Sequence, residues 1–132
     1  MTSIYYQVNR SYPLTKIEQD QITQILKECE ASYPYLESGE ALCQYSYDLA
    51  DPTCILSGSA KLPYPYDDMQ DQDSLEMQTK ALFFLIQWLT TLRRAIPNAE
   101  WDASLEDVTL IWEEENGWRL MTNEEYNNLN YK

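Results

Sequence analysis

The chain reads as an α+β domain, an antiparallel sheet of five to six strands packed on one long and one shorter helix in the order β-α-β-β-α-β-β-β. Three observations predict this. Apolar residues recur at helical spacing across residues 22–29 and 75–96, and each set builds a stripe that needs a partner surface. Period-two alternation, the mark of a half-buried strand, occupies residues 41–47, 54–62 and 99–107, and residues 3–8 are rich in β-branched and aromatic side chains. Asn116-Gly117 separates two further strand-like runs, the strongest short-range hairpin signal.

The first strand, residues 3–8, is broken by Ser11, Tyr12 and Pro13. Thr15-Lys16-Ile17-Glu18 fits a capping box, in which hydroxyl and carboxylate satisfy unpaired amides of a first helical turn. The first helix starts there, with Ile22, Ile25, Leu26 and Cys29 on one face. Tyr33-Pro34 and Ser38-Gly39 mark the next connection. Strands two and three follow on either side of Asp51-Pro52 and are expected to pair as an antiparallel hairpin. Gly58 inside the third strand signals either a bulge or a close approach of another backbone.

Residues 63–73 hold two prolines and four aspartates and read as an acidic loop. Asp73 or Ser74 then caps the long helix, which runs to about Ile96 ahead of Pro97. Acids at its start and Arg93 and Arg94 at its end both complement the helix dipole. Leu75, Leu82, Leu89 and Ile96 repeat every seven residues, so this helix is the expected spine of the domain, with the sheet on one side and the first helix on another. Residues 99–107 make the fourth strand. A two-residue turn at Asn116-Gly117 sets Glu115 opposite Trp118, Glu114 opposite Arg119, Glu113 opposite Leu120 and Trp112 opposite Met121, with Glu114 and Arg119 as an ion pair. Residues 1–122 form one domain, and the polar tail 123–132 is either a short docked helix or frayed.

Composition narrows the function. The apolar fraction of 44% and aromatic fraction of 13% supply a core. The net charge is −13, from 22 acidic against nine basic side chains, with no histidine to vary it near neutral pH. A field of that sign repels nucleic-acid backbones and anionic lipids and favours a basic protein partner. Cys29, Cys43 and Cys54 are odd in number and lack C-x-x-C spacing, so reduced, packed thiols are expected rather than disulfides or zinc. Residues 1–10 show no signal-peptide pattern and the run 81–86 is too short for a membrane span, which points to the cytoplasm.

Without histidine the chain lacks the commonest general base, the usual Ser/His and Cys/His nucleophile systems and the usual zinc ligands. Carboxylate chemistry remains. Glu113 with Glu115, and Glu100 with Asp102, are expected to share strand faces, but with 22 acids such pairs arise by chance. Asp67, Asp68, Asp71, Asp73 and Glu76 cluster but fail the EF-hand register, lacking its sixth-position glycine and twelfth-position glutamate. Three glycines build no phosphate cradle. No catalytic residue, metal or cofactor is therefore expected.

What remains is an anionic, aromatic binding surface. Tyr64, Tyr66, Asp67, Asp68, Asp71 and Asp73 form one candidate patch, and Glu113, Glu114, Glu115 and Trp118 the other. In size and composition the chain resembles the small acidic proteins that neutralise basic toxins or nucleases, such as bacterial immunity proteins and phage-encoded inhibitors. The resemblance implies occlusion of a cationic cleft and carries no site residues. The alternatives are a structural or regulatory subunit held by apolar surface on the long helix, with self-association possible, and a carboxylate- or Mg-dependent enzyme.

Overall fold

A computed structural model describes residues 2–45, 53–63, 71–122, 124, 125 and 127. The elements are β1 (Ser3–Asn9), α1 (Lys16–Ser32), β2 (Glu40–Gln44), β3 (Cys54–Lys61), α2 (Asp71–Arg94), β4 (Glu100–Leu105), β5 (Val108–Thr109), β6 (Ile111–Glu113) and β7 (Gly117–Arg119). The first five strands in spatial order β2-β3-β1-β4-β5 form one antiparallel sheet, and β6-β7 make a separate ribbon. The expected α+β class is the observed one.

β1 lies at the centre, between β3 and β4. Its alternation sends Ile4, Tyr6 and Val8 into the core and leaves Tyr5 and Gln7 exposed. Direct partners share a face, so Ala60, Gly58 and Leu56 of β3, and Leu105, Ala103 and Trp101 of β4, join the inner side. Both helices pack there. Ile22 and Cys29 of α1, and Ala81, Leu82, Leu85, Ile86, Leu89 and Leu92 of α2, merge with it into one hydrophobic cluster.

The capping box forms as read. The Glu18 amide donates to Thr15 Oγ1 at 3.1 Å and the Thr15 amide to Glu18 Oε1 at 2.9 Å. α1 ends at Tyr33, whose extended backbone (ψ 119°) is the conformation that a following proline imposes. α2 starts at Asp71, two residues before the expected cap, and ends at Arg94 rather than near Ile96. The chain then tightens, with Ile96 N donating to Arg93 O at 3.1 Å, and turns through Asn98 at φ 60°.

Gly58 marks a close approach. It faces Tyr6, and a Cβ there would fall far inside contact distance of the Cys43 carbonyl and the Tyr6 hydroxyl. The Tyr6 ring crosses this bare stretch of backbone and donates to Cys43 O at 2.7 Å. Burial raises its pKa above the ordinary tyrosine value.

Two expectations for the last third of the chain are corrected. The strand expected over residues 108–115 is not one strand, because Leu110, 3% exposed, turns into the core and divides β5 from β6, which ends at Glu113. The β6–β7 register also differs: Ile111 faces Arg119, Trp112 faces Trp118 and Glu113 faces Gly117. The turn is Glu114-Glu115-Asn116, and Gly117 takes φ +88°, the left-handed value that glycine tolerates. Arg119 consequently pairs with Glu113 at 3.3 Å and Glu125 at 2.8 Å, not with Glu114.

Candidate functional site

Of the first expected patch, Tyr64, Tyr66, Asp67 and Asp68 lie outside the described residues. Asp71 and Asp73 stand exposed in the first turn of α2, where they complement the positive end of its dipole. In the second patch Glu113 is tied to Arg119, and Glu114 accepts from Trp112 Nε1 at 3.0 Å through its carboxylate and from Arg94 Nη2 at 3.2 Å through its carbonyl. Glu115 is exposed in the turn, so it does not share a strand face with Glu113. Trp118, expected at a binding surface, is 5% exposed and belongs to the core.

α2 holds these two patches apart. The ribbon docks near its far end, where Trp118 N donates to Thr90 Oγ1 at 3.2 Å, and a helical rise of 1.5 Å per residue puts Thr90 about 25 Å from Asp73. They are two regions, not one site.

The ribbon is held by an aromatic cluster. The Arg93 guanidinium lies 4.3 Å from the Trp112 ring, 4.9 Å from Trp118 and 6.0 Å from Trp101. Desolvation lowers the Arg93 pKa from its usual value, and the ring faces replace part of the lost hydration. The buried indole N–H groups of Trp101 and Trp118 have no hydrogen-bond partner among the described residues.

A second arginine does the opposite. Arg10, 4% exposed, uses all five N–H donors: Nε to Tyr12 O, Nη1 to Glu18 Oε2 and Pro97 O, and Nη2 to Pro13 O and Glu18 Oε1, at 2.7–3.1 Å. Its hydrogen bonds hold the Glu18 carboxyl at a pKa of about 2. The hydrogen-bonded Arg119 guanidinium holds Glu125 likewise at about 2. Both carboxylates are structural clamps. Burial pushes the Cys29 thiol up, away from reactivity. Among the described residues no three His, Cys, Asp or Glu side chains converge as a metal-ligand set.

The outer sheet face carries the arrangement that sequence reading missed. Gln7 lies between Ser57 of β3 and Asp102 of β4, and Tyr5 between Ser59 and Ser104. The Tyr45 amide donates to Ser57 O at 2.9 Å, extending the row to the edge of the sheet. Tyr5, Gln7, Tyr45, Ser57, Asp102 and Ser104 line a shallow groove of about 260 Å³. Alternation in residues 54–62 already turns Ser57 outward, but nothing local says that β1 inserts between β3 and β4.

Comparison of the chain with protein-family models, with curated proteins and with solved structures finds no match in any of the three.

Proposed function

We propose that this chain is a non-catalytic binding protein that neutralises a basic protein partner, a toxin or nuclease, by occluding its cationic surface. The supporting observation is how unevenly the two charge signs are committed. Among the described basic residues Arg10, Lys61 and Arg119 are in ion pairs, Arg93 is stacked among tryptophans, Arg94 donates to a carbonyl, and Lys16, Lys27 and Lys80 are exposed. Against those three lysines, Asp71, Asp73, Glu76, Glu100, Asp102 and Glu115 stand exposed. Among the described residues the exposed charge is therefore mostly negative, in keeping with a net charge of −13, and such a surface steers a cationic partner and discourages nucleic acid and anionic membranes.

The subunit reading needs free apolar surface on the long helix. Most of that stripe is used inside the domain, and the large apolar side chains left exposed on α2 are Leu75 and Phe83. No helix among the described residues is long and apolar enough to cross a membrane, and Cys29, Cys43 and Cys54 are free thiols. A reducing cytoplasm fits those thiols.

Affinity capture from the native host at low salt tests the proposal. A basic protein is expected, associating at least about tenfold more slowly at high salt. A captured partner that is not basic, or whose affinity is unchanged when Asp71, Asp73, Glu113 and Glu115 are all replaced by lysine and salt is raised, overturns it.

A further inference from the structure

We infer that the groove on the open sheet face seats a cationic side chain, arginine or lysine, of the partner; this rests on the basic-partner reading above and names the surface that carries it. Size is the first ground. At about 260 Å³ the groove is smaller than the 300–1,000 Å³ typical of small-molecule pockets, and a single long side chain suits it.

Chemistry is the second. Tyr5 is 46% exposed and neighbours Ser104 across the β1–β4 ladder, two residues along β4 from the exposed carboxylate of Asp102. An aromatic face beside a carboxylate recognises a cation through ring quadrupole and charge together. Tyr45 lines the opposite side, and the hydroxyls of Ser57 and Ser104 complete the lining. All of these polar groups can accept hydrogen bonds, as a guanidinium or ammonium requires.

The third ground is independent of charge. Ser57 lines the groove, points to the outer face by its register opposite Gln7, is 8% exposed, and its hydroxyl has no hydrogen-bond partner among the described residues. A buried hydroxyl left unpaired is destabilising, and a donor entering from the groove removes the deficit.

The experiment titrates the full chain with an acetylated Gly-Arg-Arg-Gly amide and with the same peptide carrying citrulline, an uncharged isostere of arginine, while backbone amide shifts are followed by NMR. Saturable shifts centred on Tyr5, Ser57 and Asp102 are expected with the arginine peptide and not with citrulline. Asp102→Asn is expected to weaken binding about tenfold and Ser57→Ala about threefold, while Ser57→Ala leaves the thermal midpoint unchanged or raised, because it removes an unpaired polar group. Equal binding of the citrulline peptide overturns the cation assignment. Shifts confined to Asp71, Asp73 or Glu115 overturn the groove and leave the basic-partner reading standing. Absence of saturable binding also overturns the groove, whereas the parent reading fails only if the captured partner is not basic or is indifferent to salt and charge reversal.

Discussion

Arg10 and Arg93 are both drawn out of water, and Arg93 lies four positions before Pro97, whose carbonyl Arg10 holds. Each guanidinium lies over a ring, Arg10 at 4.0 Å from the Tyr12 centroid, but their polar partners differ. Arg10 meets one carboxylate and three carbonyls through five directional hydrogen bonds, and so fixes the end of β1, the start of α1 and the α2–β4 connection in one geometry. Arg93 has tryptophan faces around it and no ion pair among the described residues, so its environment is broad and weakly directional. A hydrogen-bonded clamp specifies position and is lost with its carboxylate. A stacked one supplies adhesion, most of it from the area of the rings rather than from the charge.

Removing a ring therefore has the largest expected effect. Trp118→Ala is expected to cost about 3–5 kcal/mol, read from denaturant unfolding, since Trp118 packs against Trp101, Trp112 and α2. A cost under 1 kcal/mol would mean that the ribbon does not depend on it. Arg10→Ala comes next, with a fall in thermal midpoint of about 10 °C. Arg10→Lys should rescue little of this, because an ammonium cannot reproduce the planar five-donor fork. Full rescue by lysine would show that the clamp works by charge alone.

Acid separates the hydrogen-bonded arginines from the stacked one. The folded-state pKa values of Glu18 and Glu125 lie at about 2 against an ordinary 4.5, so their stabilisation is complete above pH 4.5 and is lost as pH falls toward 2. The combined variant Glu18→Gln with Glu125→Gln is expected to flatten the stability profile across that window, at the cost of lower stability at neutral pH. An unchanged slope would place the acid sensitivity elsewhere. Arg93→Met is expected to have the smallest effect, about 1 kcal/mol, and to leave the wild-type pH slope in that window unchanged. A slope flattened by that substitution would overturn the contrast.

The open sheet face makes the same point for function. Its polar character is visible in the alternation of Ser57 and Ser59 with Leu56 and Ala60. Its groove is not, because Ser57 and Asp102 flank Gln7 only when the chain places β1 between strands that follow it by more than 40 residues. The acidic hairpin shows the reverse: its position was legible from Asn116-Gly117, yet its expected surface role for Trp118 was not upheld by the packing.

By itself the sequence determined what interactions within a few residues can decide. The Thr15–Glu18 capping box, the strand alternation, the helical stripe of α2 and the presence of the final hairpin all rest on local hydrogen bonds and side-chain period. Tertiary structure alone decided the central place of β1, the acceptors of Arg10, one of which lies 87 residues away, and the hairpin register. That register turns on Thr90, which would clash with any Cβ at position 117 and which accepts the Trp118 amide. A change of turn length alters which residues face one another across a ladder. Packing on α2 selects the register that buries Trp118 against Trp112, and turn chemistry alone does not.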